Sequence, residues 1–382
     1  MEGIFVHADN IISSNGFTTD ENFNQLKNNV SGIAQTTDEK ITQVPMYTSL
    51  VNTETLERNF SELKTTETYT RLEKMLILSI QKALNNCKID ISSQFTAVII
   101  SSTKGNIDLL EKAEKKVPEE LFLWKMAERV KDFFSNPNPA ITISNACISG
   151  ASAIITASHL IRAKKYRHVV VAGGDIINEF TPSGFQSFKA VSEKPCRPFD
   201  KDRDGITLGE AAGTIILSSE EANYDNTHKI LFKGGSNSND ANHISGPSRT
   251  GDGLFYAIQA AMKEAKLSKN DIHYISGHGT ATVYNDEMET KAIDWAGLSH
   301  VPLNSLKGYW GHTLGAAGII ESIAGFRSMA QNTLIKTLGF ENSGVSKDVN
   351  VINKNKQQEI NAFLKTASGF GGCNAALVFQ KQ

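Results

Sequence analysis

Ala140-Ile141-Thr142-Ile143-Ser144-Asn145-Ala146-Cys147-Ile148-Ser149-Gly150-Ala151-Ser152-Ala153-Ile154-Ile155 reads as an apolar strand, a turn of small residues and a buried helix. The thiol of Cys147 falls at the helix start. There, unpaired N–H groups and the positive end of the helix dipole favour thiolate over thiol. Downstream stand two glycine-flanked histidines, in Gly277-His278-Gly279-Thr280 and in Gly311-His312-Thr313-Leu314-Gly315-Ala316-Ala317-Gly318. One cysteine and two framed imidazoles suit a thiol nucleophile with two polarising groups, the equipment of acyl transfer.

Around this stretch the chain alternates helices and strands. Leu72, Met75, Leu76, Leu78, Ile80 and Leu84 recur at helical spacing over 71–85, and Phe95-Thr96-Ala97-Val98-Ile99-Ile100 reads as a buried strand. Strands are expected at 140–143, 168–174 and 213–218, with a helix at 151–163 between the first two. The second half repeats the pattern, with helices at 253–266 and 315–331 and strands at 272–276 and 375–380. Such alternation predicts α/β layers, sheets covered by helices.

An internal repeat underlies the alternation. Ile80-Gln81-Lys82-Ala83-Leu84 resembles Ile258-Gln259-Ala260-Ala261-Met262, and each is followed by a turn and a strand. The stretch from Cys147 to Ile155 lines up with that from His312 to Ile320. Two related halves, residues 1–222 and 223–382, would put Cys147 and His312 at equivalent helix starts facing across a pseudo-dyad. The boundary is placed in the polar run 219–228, which has no apolar period.

Composition excludes more than it names. A length of 382 residues exceeds one ordinary domain, and a net charge of -2 gives no whole-molecule attraction to nucleic acid or anionic membrane. No apolar run approaches the ~20 residues of a membrane span, and Met1-Glu2-Gly3-Ile4 does not open a signal peptide, so a cytoplasmic location is expected. Cys87, Cys147, Cys196 and Cys373 show no zinc spacing, which predicts no metal site and a reducing compartment.

Five motifs in order carry a resemblance to the β-ketoacyl-acyl-carrier-protein synthases, in the elongating class with a Cys-His-His site. They are Asn145-Ala146-Cys147-Ile148-Ser149-Gly150; Val171 to Asp175 with Cys196 to Gly205 and Leu208-Gly209-Glu210; Gly277 to Thr282 with Asp286 and Glu289; Lys307 with Gly311 to Gly318 and Glu321; and Ser368-Gly369-Phe370-Gly371-Gly372-Cys373-Asn374. The resemblance implies a thiolase-like fold, two similar halves forming a five-layer αβαβα arrangement. It implies that Cys147 takes the acyl group, with the backbone amides of Cys147 and Phe370 as oxyanion hole. His278 and His312 would hold the malonyl thioester carbonyl as carbon dioxide leaves, with Lys307 and Glu321 supporting them. Thr280 and Thr282 would contact the phosphopantetheine arm, Phe370 would gate the acyl pocket, and His243 would line it. No bound cofactor is implied; substrates arrive on the 4'-phosphopantetheine of acyl carrier protein. The expected partners are that carrier and a second subunit, as homodimer or as heterodimer with a chain-length-factor-like chain.

Departures from the family pattern suggest a synthase of a specialised pathway, polyene-like or pigment-forming, rather than the housekeeping enzyme of fatty-acid synthesis; whether the pathway makes fatty acids or polyketides and polyenes is left open. Ser368 stands where elongating synthases commonly have Phe, Tyr309 and Trp310 replace small residues, and Lys104 to Pro139 matches poorly. Three other readings compete: a biosynthetic thiolase, with Cys373 as its second thiol; a non-enzymatic chain-length partner of an active synthase, or a synthase subunit active only beside such a partner; and a Cys-His thioesterase.

Overall fold

The computed structural model describes residues 3–112, 117–224, 227–244 and 246–382. Parts of the poorly matching segment (113–116) and of the polar run (225 and 226) therefore lie outside the described residues. In chain order the main strands are β1 (Ile4–Ser13), β2 (Thr96–Ser101), β3 (Ile141–Ile143), β4 (His168–Asp175) and β5 (Ala211–Ser218). They are followed by β6 (Ile230–Asn239), β7 (Tyr274–Ser276), β8 (Leu303–Asn304), β9 (Ala362–Gly369) and β10 (Cys373–Lys381). The helices that matter here are α1 (Arg71–Leu84), α2 (Leu123–Phe133), α3 (Ser149–Arg162), α4 (Asp252–Ala265), α5 (Val283–Trp295) and α6 (Ala317–Ala330).

The ten strands fall into two runs of one design. The first is ordered β1-β5-β4-β2-β3 and the second β6-β10-β9-β7-β8, so the second repeats the first shifted by five. Directions agree too. β1/β5 and β5/β4 are antiparallel, and β4/β2 and β2/β3 parallel. β6/β10 and β10/β9 are antiparallel, and β9/β7 and β7/β8 parallel. The runs touch along β1 and β6, where Ile4 pairs with Phe232 and Phe5 with Leu231.

Three layers of helix complete the stack. α1 packs on β1, β4 and β5 from one outer side, and α4 on β6 and β10 from the other. Between the sheets, α3 touches β4 and β2 of one run and β10 and β6 of the other, while α6 touches β9 and also β5 and β1. α3 and α6 are buried along most of their length, with His159 exposed near the end of α3, as befits central helices. Each buried isoleucine there (Ile154, Ile161, Ile319, Ile323) contributes about 1.5–3 kcal/mol. This is the five-layer α/β architecture expected from the sequence.

Local chemistry sets the ends. Thr70 and Glu73 form a reciprocal capping box on α1, with Thr70 Oγ1 accepting from Glu73 N at 3.2 Å and Glu73 Oε2 accepting from Thr70 N at 2.9 Å. The expected helix at 315–331 begins instead as a 3-10 turn, Leu314–Ala316, because the Asp175 carboxylate takes the Gly315 N–H at 2.7 Å and tightens the first turn.

Candidate active site

Cys147 and His312 stand at matching points of the two central helices. The residue before each has positive φ, Ala146 at 43° and Gly311 at 66°. For alanine this costs of order 1–3 kcal/mol, held here by a knot of hydrogen bonds. Asn145 N donates to Ser149 Oγ at 2.8 Å, and Ser149 Oγ donates to Ala146 O at 2.6 Å. Three residues beyond each functional side chain lie Gly150 and Gly315, and these equivalent glycines meet. A Cβ on Gly150 would stand 2.8 Å from Gly315 O. The helix starts thus touch through backbone, which only small residues permit.

His278 comes from the loop after β7. Glu289 on α5 takes the His278 N–H and the Gly279 N–H, both at 2.7 Å. Asp286 takes Thr280 N at 2.9 Å, Ala281 N at 3.2 Å and, from another loop, Phe199 N at 2.7 Å. The two carboxylates act as a mould for the loop backbone. Burial pushes Asp286 up to about 6, and those N–H donors hold it down against that.

The rings of His278 and His312 lie edge to face, 5.2 Å between centroids. Both are buried, and burial followed by the Lys307 charge pushes both well below the ordinary 6.5, so both imidazoles are neutral. Lys307 Nζ is 3.4 Å from His278 Nδ1 and 2.7 Å from Glu321 Oε1. Among the described residues, neither ring nitrogen of His312 has a hydrogen-bond partner. Buried nitrogens are seldom left so.

These groups open on one cavity of about 430 Å³. Cys147, His278, His312, Thr280, Thr282 and Phe370 all line it, and so do His243 and Ser368. Lys307 and Glu321 sit behind the histidines, off the wall. Thr280 and Thr282 share a hydroxyl–hydroxyl hydrogen bond of 2.9 Å. His243 is exposed at the rim. Phe370 is 36% exposed and packs against Phe185 and Phe188, with centroids at 5.2 and 5.5 Å. Among the described residues, no acceptor takes the backbone N–H of Cys147 or of Phe370.

One expectation is reversed. Burial, with a smaller contribution from neighbouring Cys373, pushes the Cys147 thiol up to about 12, against the depression expected at a helix start. The Lys307 and Lys104 charges act the other way, but burial costs an anion there more than they return. Thiol is the resting form. Cys373, the candidate second thiol, does not line the cavity, and its Sγ points to Phe370 O at 3.4 Å.

Of the departures, Tyr309 and Trp310 are buried in the core beside α6 rather than in the cavity. Ser368 Oγ donates to Asn374 Oδ1 at 2.8 Å. One residue was missed altogether: Lys365 on β9, fully buried, 2.6 Å from Glu321 Oε2. The signal was a lysine amid the apolar run Ala362-Phe363-Leu364, a strand the periodicity reading passed over.

The sequence profile of the beta-ketoacyl synthase N-terminal domain matches residues 1–223, and that of the C-terminal domain matches 230–341. The chain belongs to the beta-ketoacyl synthase family. A putative mitochondrial 3-oxoacyl-[acyl-carrier-protein] synthase of Schizosaccharomyces pombe is 32% identical to this synthase over 357 residues, 84% of this chain and 83% of that one. The 3-oxoacyl-[acyl-carrier-protein] synthase 2 of Rhizobium meliloti is 36% identical over 258 residues, 64% of this chain and 61% of its own length. In fold the synthase matches the ketosynthase ApeO, solved with its chain length factor ApeC from Xenorhabdus doucetiae. The TM-score is 0.85 at 24% identity, over 99% of this chain and 98% of that one. The ishigamide ketosynthase/chain length factor gives 0.88 at 22%, over 99% of each.

Proposed function

We propose that this chain is a β-ketoacyl-[acyl-carrier-protein] synthase that joins a malonyl unit to a Cys147-bound acyl chain with loss of carbon dioxide. The observation that carries the reading is a cavity in which the Cys147 thiol shares space with two neutral, buried imidazoles, one with both ring nitrogens unpartnered among the described residues. Cys147 attacks an acyl-carrier thioester; a new S–C bond forms, and the carrier thiol leaves with the proton. The amides of Cys147 and Phe370 hold the oxyanion, an interaction worth about 10²–10³ in rate per donor. In the second stage His278 and His312 donate to the malonyl thioester carbonyl. The C–C bond to the carboxylate breaks, its electron pair passes into the enolate, and the enolate carbon attacks the acyl-cysteine carbonyl. The bond between the acyl carbon and Cys147 Sγ breaks, the 3-oxoacyl carrier departs, and the thiolate takes a proton from water to return as thiol. Neutral donors suit this step, because the charge they meet appears only as the bond breaks.

Lys307, anchored by Glu321, keeps His278 unprotonated. The Thr280 and Thr282 hydroxyls receive the phosphopantetheine arm, with His243 at the entrance and the Phe370 ring, backed by Phe185 and Phe188, as the door. The carrier is acyl carrier protein, docking at that rim. The halves divide near 222/223, the nucleophile in the first and both histidines in the second. The synthase works in the cytoplasm as a dimer, with itself or with a chain-length-factor-like subunit. Among the described residues no helix is long and apolar enough to cross a membrane.

Intact-mass measurement tests the reading. After acyl-carrier is added, the native chain should gain one acyl group and Cys147→Ala none. Malonyl-carrier should then discharge it as a 3-oxoacyl carrier two carbons longer. Release of free acid instead would make the protein a thioesterase.

A further inference from the structure

Glu321 is shared. Its Oε1 lies 2.7 Å from Lys307 Nζ and its Oε2 2.6 Å from Lys365 Nζ, and all three side chains are buried. Lys365 Nζ also reaches three carbonyl oxygens, Ser276 and Gly277 at 3.2 Å and Thr366 at 2.6 Å. Every neighbour is an acceptor, the surroundings of an ammonium, which donates three times and accepts nothing. Ser276 and Gly277 immediately precede His278, so the same amine grips the strand end from which that imidazole projects.

The charge balance is uneven. Two ammonium groups share the Glu321 carboxylate, so Glu321 is not the counter-ion of Lys307 alone. Lys365 also feels the charge of Glu289, whose oxygens accept from His278 N, Gly279 N and the Thr366 hydroxyl, so the second ammonium is partly offset from its own side while Lys307 has only its share of Glu321. On the Cys147 side stand Lys104 and Asp175, 3.5 Å apart, which offset one another. Beyond these, the imidazoles face each other and the neutral Cys147 thiol. If Lys307 held Glu321 alone, the pair would be nearly neutral toward His278; with the carboxylate divided, it is not.

We infer that Lys365 is a second positioning lysine of this site, which splits the Glu321 carboxylate so that Lys307 keeps charge against His278 and both imidazoles stay neutral during decarboxylation. The inference rests on the condensing reading given above. The lowered proton affinity of both histidines, to which Lys365 contributes, agrees with it.

The test is the pH profile of malonyl-carrier decarboxylation in the native protein, Lys365→Met, Lys365→Gln and Lys365→Arg, with folding checked by circular dichroism. The native rate should be flat on the acid side to about pH 5.5. In the Met and Gln variants the acid limb should move up by about one pH unit, a loss of about twofold near pH 6 and about tenfold near pH 5 relative to pH 8. Arg should restore the native profile. Gln keeps an N–H for the carbonyl cluster, so it carries the test if Met fails to fold. A folded Gln variant with the native profile would overturn the inference while leaving the condensing reading intact. A native protein that takes an acyl group but never decarboxylates malonyl-carrier would instead refute the condensing reading itself.

Discussion

Adding one methyl group to Gly318 should both loosen the protein and slow it. A Cβ there would lie 2.5 Å from Ala151 N and 3.1 Å from Ala151 Cβ, so the α3 and α6 starts must part by about 0.9 Å to reach the ordinary 3.4 Å. Alanine gains at most about 1 kcal/mol in helix propensity. Overpacking a close backbone contact costs about 1–3 kcal/mol, so the clash outweighs the gain by up to about 2 kcal/mol. Because these helices carry Cys147 and His312, the same parting misplaces the two groups by nearly 1 Å, a displacement that can cost about 10²-fold in rate. Urea denaturation and malonyl-carrier decarboxylation measure the two effects. Gly184→Ala is the control, since a Cβ there meets nothing within 4 Å and should be neutral or slightly stabilising. A Gly318→Ala protein as stable and as active as native would refute the idea that helix contact sets the catalytic spacing.

Other outcomes follow from the same geometry. His312→Ala should slow decarboxylation by about 10²–10³ while acyl loading of Cys147, read by intact mass, changes far less. Glu321→Gln should destabilise by about 3–5 kcal/mol in urea, because two buried lysines lose their one shared anion. For His278 and His312 the folded chain binds protons more weakly than the unfolded one, whose histidines titrate near 6.5. Below that pH the unfolded state takes up more protons, so stability should fall as pH drops from about 6.5 toward 5 and be insensitive to these groups above 7.5. Denaturant midpoints across that range check it. Iodoacetamide should label Cys147 slowly at pH 7.5, since its thiol is raised to about 12 in the empty pocket, and faster as pH rises.

Much of this was legible because small residues at helix starts are hard to disguise. The run Cys147-Ile148-Ser149-Gly150 declares its turn, and its likeness to the His312 run pointed to two halves before any strand order was known. The apolar period of α1 fixed that helix to within a residue. β6 and β9 were passed over because Gly234, Gly235 and Lys365 interrupt their apolar pattern, and it is packing against α4 and α6 that makes them strands. Local sequence carries none of that. The thiol was misjudged for a related reason: helix position is written in sequence, whereas the closed cavity that desolvates Cys147 is built from segments hundreds of residues apart. Lys365 escaped because its partners, Glu321 and the carbonyls before His278, come together only in the folded sheet.

The matching strand order of the two halves bears on how such a site could arise. Two identical copies, associating as separate chains, must present the same side chain at both central helix starts: thiol opposite thiol, or imidazole opposite imidazole. Neither arrangement condenses anything. Once both copies lie on one chain, the twin positions can drift apart, one becoming Cys147 and the other His312. By this logic the short join between β5 and β6 is what allows the chemistry to be asymmetric.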